Sequence, residues 1–285
     1  SQMQLVIISF CYLLVNIGKN CQSLLTDRVI TMIKPAFLSA SLPKSLVTLI
    51  VWGAMLSVSG GITANAQALT EAEFAFDLAW DSQYISEGRD NLDKGGIAWG
   101  VASVTDGDLV TFVALGRGDQ THYIEWNFGL EYTLHLSDHF DATIGYQRLE
   151  FYGEERDSDN EVFGSLTYTG VDWLIPAINY TYSTEAGGYF FEVSLHSPWD
   201  ITETLSITPY VLQGFDFQYV TEDYDGANHI QLGIEAAYTI SNNIALSGHL
   251  SVTQAMGDIK REASDNHISS HLNEAYAGVH LNWVF

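Results

Sequence analysis

The chain has 285 residues, 47% hydrophobic and 13% aromatic, yet carries a formal net charge of −24. No stretch reaches the roughly 18–20 consecutive apolar residues that a membrane-spanning helix needs, which excludes helical spans. Residues 1–68 hold four of the 11 Lys and Arg and one of the 35 Asp and Glu, leaving 7 basic and 34 acidic side chains for the rest. That remainder has no basic footprint for nucleic acid, and its many aromatics argue against the disorder that strong acidity can bring.

The first 68 residues differ in character from residues 69–285. Residues 32–68 are expected to be a secretory signal. Lys34 and Lys44 follow Met32, Leu46 to Val58 is an apolar run, and Thr63 to Ala68 offers the A-x-A pattern twice. Cleavage is expected after Ala68, with Ala66 as second choice; a buried helix of a soluble domain is the alternative. Residues 1–31 are expected to be an upstream extension outside the fold, with Met32 as the true start. Both cysteines, Cys11 and Cys21, fall in the first segment, so 69–285 can form neither a disulfide framework nor a Cys-ligated metal site.

From Phe74 onward the apolar pattern has period two, the strand period. Ile124, Trp126, Phe128, Leu130, Tyr132, Leu134 and Leu136 alternate with Glu125, Asn127, Gly129, Glu131, Thr133 and His135. Twelve such runs are predicted: 73–85, 97–105, 109–116, 122–136, 139–151, 161–170, 173–183, 188–196, 204–218, 228–240, 243–255 and 272–285. Most reach the roughly 9–11 residues with which a tilted strand crosses a bilayer. Short polar turns such as Asp106-Gly107, Ser137-Asp138 and Ser241-Asn242 alternate with longer charged segments such as Glu150 to Asn160 and Gly257 to Ser270. The fold class expected for 69–285 is therefore all-β: a transmembrane, antiparallel up-and-down barrel of about 12 strands, with short periplasmic turns and both termini in the periplasm. A soluble β-sandwich is the competing fold, but its strands average only about five or six residues.

In the last strand Ala277, Val279, Leu281, Trp283 and Phe285 share one face. Val279, Leu281, Trp283 and Phe285 resemble the terminal assembly signal of bacterial outer-membrane barrels, which implies the barrel-assembly machinery as a partner.

With the apolar faces toward lipid, the alternate faces line the interior, because a charge on the lipid face costs about 2–4 kcal/mol near the midplane. The expected pore-lining residues are Asp77, Asp81, Glu125, Glu131, Glu192, Glu235, Glu274 and His249, with Asp141, Asp216, His135, His196 and His280 on the same faces. Arg148 has the parity of the lipid-facing Tyr146 whereas Leu149 and Phe151 switch parity, so a bulge is expected there. A carboxylate-rich lumen favours cations or neutral polar solutes; a plug of packed Glu, Tyr and His is the other outcome. His249 shares a face with Ser251 and Ser247, but no spacing specific to a hydrolase is present, so no catalytic residues are assigned. The nine histidines are too scattered along the chain to suggest a metal site, and no cofactor is expected.

The stretch Phe76 to Asp90, reading FDLAWDSQYISEGRD, resembles the opening of the TorF-type porins of proteobacteria. The resemblance covers the first strand and the general layout, departs in the order Gly88-Arg89, and implies a channel without naming a solute. Arg89 could reach back to an interior acid such as Asp81 or stay solvated in the loop. Together these readings lead to a monomeric outer-membrane channel for small polar or cationic solutes. The alternative is a non-conducting barrel that binds a ligand or partner through acidic outer loops, and a barrel hydrolase comes third.

Overall fold

The computed structural model describes residues 72–92, 94–153, 156–267 and 272–285. The expected signal segment and upstream extension lie outside the described residues.

Strand β1 (Glu73–Asp81) is followed by a small hairpin, β2 (Ile85–Ser86) and β3 (Arg89–Asp90). Then come β4 (Ile97–Asp106), β5 (Leu109–Gly118), β6 (Ile124–Ser137), β7 (Phe140–Tyr152), β8 (Arg156–Tyr168), β9 (Ile175–Ser183) and β10 (Tyr189–His196). The two-residue β11 (Trp199–Asp200) precedes β12 (Leu205–Phe217), β13 (Asp225–Ser241) and β14 (Ile244–Ala255). A helix, α1 (Gly257–Asp265), follows β14, and the last strand is β15 (Ala275–Val284).

Leaving aside β2, β3 and β11, the twelve long strands pair with their sequence neighbours, all antiparallel. β10 and β12 are joined in this way across the short β11, and one further pairing closes the sheet on itself: β1 meets β15, from Ala75 opposite Val284 to Asp81 opposite Gly278. Closure removes the free edges whose backbone groups could not be satisfied in lipid.

The faces are inverted relative to a soluble protein. On β1, Phe74, Phe76, Leu78 and Trp80 are exposed, while Ala75 and Ala79 are buried. The same holds for Trp126, Phe128, Leu130 and Leu134 on β6, and for Val279, Leu281 and Trp283 on β15. A sandwich would bury these side chains between its sheets. A barrel leaves them outside, where acyl chains replace the missing core. Phe285 closes this belt: its ring lies 4.4 Å from that of Trp283 and packs edge-on against Phe76 at 5.8 Å.

Three expectations are corrected. The charged segment 150–160 is mostly ladder, since β7 runs to Tyr152 and β8 starts at Arg156. Beyond the apolar belt both faces meet water, so a strand there needs no alternation. The bulge at Leu149 is absent, because β7 and β8 pair without a register shift from Phe140–Tyr168 to Tyr152–Arg156. Arg148 points outward with its neighbours, and its charge is met by Glu150 at 2.7 Å; Leu149 is buried inside. The segment after Gly257 contains α1, whose buried Asp258, Ile259 and Ala263 form a narrow stripe facing the barrel wall.

Candidate functional site

The segment after β1 turns into the barrel. Ser82 still bonds the last strand, its N–H donating to the Ala277 carbonyl at 2.8 Å. The hairpin β2–β3 then closes through Glu87 and Gly88, at φ 46° and 75°. Two consecutive positive φ values define the primed turn that suits a tight hairpin. A side chain at Gly88 would sit 2.4 Å from the His229 ring atom Cγ on β13, so glycine lets the hairpin tip reach the wall. On its other side, Tyr84 donates to Glu125 of β6 at 2.7 Å. β6 and β13 lie three strands from β1 in opposite directions round the barrel. The hairpin thus lies across the interior.

The wall it meets is acidic. Glu125, 2% exposed, also accepts the Tyr123 hydroxyl at 2.6 Å. Glu161 of β8, also buried, accepts the hydroxyl of Tyr219. Asn127 and Gln147 lie buried on the same wall, and their side-chain oxygens have no hydrogen-bond partner among the described residues. Glu87 at the hairpin tip is near enough to the carboxylates of Asp216, Glu125, Glu161 and Glu192 for their charges to repel its own. Burial pushes the Glu87 carboxyl above its ordinary value, the Ser86 hydroxyl and Arg89 pull it back, and the Asp216 and Glu125 charges add to the rise. Burial also holds the Tyr84, Tyr123 and Tyr219 hydroxyls above their ordinary value, helped by nearby carboxylates. They therefore remain donors at neutral pH.

A second network fixes the hairpin at the mouth opposite the short turns. Arg89 donates to Asp258 at 3.1 Å and to Glu262 at 3.1 Å, both on α1. Asp258, itself fully buried, also accepts from Thr221 at 2.9 Å and Asn228 at 3.2 Å. Arg89 thus contacts neither Asp81 nor solvent alone, which corrects both expectations. Asp216 is fully buried too. It accepts backbone N–H groups of Tyr219, Val220 and Thr221 at 2.8–3.2 Å, so it anchors a turn.

The opposite wall has a different chemistry. Asp81 of β1 and His249 of β14 both lie directly opposite Gly278 of β15. The Asp81 Oδ1 and His249 Nε2 atoms are 3.3 Å apart. His280, two residues further along β15, places Nδ1 3.3 Å from Asp77 Oδ1. Glu235 of β13 pairs with His249 in register. The histidines expected to be scattered are brought together here, because a barrel sets residues of distant sequence on adjacent strands.

Of the expected lining residues, Asp77, Asp81, Glu125, Glu131, Glu192, Glu235 and His249 have interior parity on their strands. Glu274 lies just before β15 and accepts from Gln83 of the folded-in segment at 2.8 Å. His135 is at the short-turn rim, exposed, beside Asp141 at 2.6 Å and Asp108 at 3.3 Å. Ser251 bonds Tyr210 at 2.8 Å and His249 faces Asp81, so the two do not form a nucleophile–base pair. Sequence reasoning missed Glu87, Tyr84, Tyr123, Tyr219 and Glu161. Glu161 and Tyr123 have interior parity within the predicted runs and could have been found; Tyr84 has lipid-facing parity in the predicted run 73–85, but the strand ends at Asp81 and the chain leaves the wall, and Tyr219 lies on a connecting segment, where period two says nothing.

No family model matches the chain, and no curated protein is similar to it in sequence. Solved structures are similar in fold. The KdgM porin superposes with a TM-score of 0.51 at 10% identity, over 74% of this chain and 99% of that one. The KdgM porin in complex with disordered oligogalacturonate gives 0.50 at 9% identity, over 75% and 99%. At this identity the likeness establishes a shared barrel architecture.

Proposed function

We propose that the protein is an outer-membrane channel for small polar or cationic solutes, narrowed by the folded-in residues 82–92. The observation that carries this reading is the interior group of Glu87, Glu125, Glu161, Glu192 and Asp216 inside a closed barrel with an apolar exterior. The one arginine tied to this interior hairpin, Arg89, is neutralised by Asp258 and Glu262. Unbalanced carboxylates around a passage attract cations and repel anions. Oligogalacturonate, named with the KdgM porin, is a polyanion; the acidic interior here favours the opposite class. The short-turn end, which holds both strand termini Glu73 and Val284, faces the periplasm in this reading. Val279, Leu281, Trp283 and Phe285 serve as the assembly signal, and the barrel works as a monomer. The likeness of Phe76 to Asp90 to TorF-type porins agrees with this assignment.

A second reading follows from how firmly the hairpin is held. With Tyr84 on Glu125 and Arg89 on Asp258, the barrel is shut at rest and acts as a binding or structural element. Single-channel recording of the purified protein in planar bilayers, under a salt gradient, separates the two. Steady cation-selective steps, less selective in Glu125→Gln, support the channel. A silent but folded, heat-modifiable barrel overturns it in favour of the plugged form.

A further inference from the structure

We propose that Asp81, His249 and His280 form a binding site for a divalent transition-metal ion of the Zn2+ type on the interior wall of β1, β14 and β15. One ligand atom from each residue lies within 4.8 Å of the other two. The 3.3 Å between Asp81 Oδ1 and His249 Nε2 matches the donor–donor edge of about 3.3–3.5 Å implied by tetrahedral bonds of about 2.0–2.1 Å.

Two independent features mark these atoms as waiting for a partner. Asp81 Oδ1 and His249 Nε2 are both buried and make no hydrogen bond among the described residues. A polar atom in that state is costly unless something completes it. The space between them exists because β15 carries glycine at that point. A Cβ on Gly278 would fall 1.9 Å from Asp81 Oδ1 and 2.5 Å from His249 Cε1. Gly278 is the register partner of both residues, so a carboxylate and an imidazole two strands apart meet over it.

The surroundings fit a metal as well. Asp77 faces His280 Nδ1 at 3.3 Å, the carboxylate–histidine contact that orients a ligating ring and raises its basicity. Glu235, directly across from His249, adds negative charge beside the site. Two imidazoles and one carboxylate suit Zn2+ or Cu2+, whereas Ca2+ and Mg2+ prefer oxygen ligands throughout. Three protein ligands leave a coordination position open to the interior. The site stands apart from the proposed constriction and does not depend on whether the barrel conducts.

The test is calorimetric titration of the purified protein in detergent with ZnCl2, with CaCl2 as the contrast, at a pH where histidine is neutral. The expected result is one Zn2+ per chain and no competition by Ca2+. His249→Ala and His280→Ala, each confirmed as folded by heat-modifiable migration, should weaken binding at least tenfold. Asp77→Asn should weaken it by about 10–100-fold while keeping the stoichiometry. If His249→Ala fails to fold, Gly278→Ala, which crowds the two ligand atoms apart, serves in its place. Absence of Zn2+ binding, or equal binding by wild type and a His249→Ala/His280→Ala double variant, overturns the proposal. Neither result alters the conductance experiment, so the two readings fail separately.

Discussion

On the β6–β8 wall Glu125 accepts two tyrosine hydroxyls and Glu161 accepts a third. On the β14–β15–β1 wall Asp81 Oδ1 and His249 Nε2 face each other at 3.3 Å with no hydrogen bond. Both walls present interior polar groups from alternating strands, and the parity rule that delivers them is the same. The difference is what completes them. On the first wall the chain's own segments supply hydroxyl donors to both carboxylates, and those buried hydrogen bonds hold the segments in place. On the second wall Asp81 and His249 present ligand atoms to each other over Gly278, the arrangement proposed above to take a metal ion. Interior carboxylates in one barrel therefore serve two purposes, seating a loop and offering a ligand set.

Breaking the mouth network's hold on the hairpin should give the largest effect. Arg89→Ala leaves the buried Asp258 without its cation, and stability measured by denaturant unfolding should fall by about 3 kcal/mol. Conductance should become larger and noisier as the hairpin undocks. Arg148→Ala is the control, because Arg148 faces outward and pairs with Glu150 outside the network; a loss below about 1 kcal/mol is expected. Equal losses from the two variants would mean that the mouth network does not seat the hairpin.

Next in size is removal of the tyrosine donors. Tyr84→Phe and Tyr123→Phe together deprive Glu125 of both hydroxyls. Each lost partner of a buried acceptor costs at least about 1 kcal/mol, so the pair should cost about 2 kcal/mol, and protease should reach residues 82–92 sooner. An unchanged digestion rate would show that Glu125 is not what the hairpin leans on.

A smaller effect should come from pH. Burial raises the Glu87 carboxyl above its ordinary value, so the folded hairpin binds a proton that the released one gives up. Its contribution to docking is full below the ordinary carboxylate value and is lost as pH rises through the raised one. The charges near Glu87 reinforce that sign, since Asp216, Glu125, Glu161 and Glu192 repel its charged form, while the Ser86 hydroxyl and Arg89 oppose them without reversing the rise. Open-channel current should therefore grow with rising pH, and Glu87→Gln should flatten the dependence. A current that falls with pH in wild type would reverse the assignment. Smallest of all, His135→Ala at the exposed rim should leave both unfolding midpoint and conductance at the wild-type values.

Much of the barrel is readable from residues alone. The run Ile124 to Leu136 names its strand, its two faces and its orientation to lipid, because a period of two cannot be satisfied by another backbone. The weakly alternating 109–116 is extended to Gly118 in the structure by pairing with β4 and β6 on both sides. The charged stretch at 156–160 is unreadable as strand because nothing apolar marks a ladder that stands in water. The helix at Gly257–Asp265 has only two buried apolar residues, Ile259 and Ala263, too few to signal a helix over a loop.

The sequence by itself determined the strand number, the outward and inward faces, and the acidity of the interior, since each arises from side-chain alternation and composition that no packing can change. Tertiary structure alone decided where the first loop goes and which interior groups meet. Arg89 finds Asp258 across 169 residues, Tyr84 finds Glu125 across 41, and Asp81 finds His249 over Gly278. The physical reason is that closure brings β1 against β15: register across that seam sets contacts between the two ends of the chain, and no local period carries that information.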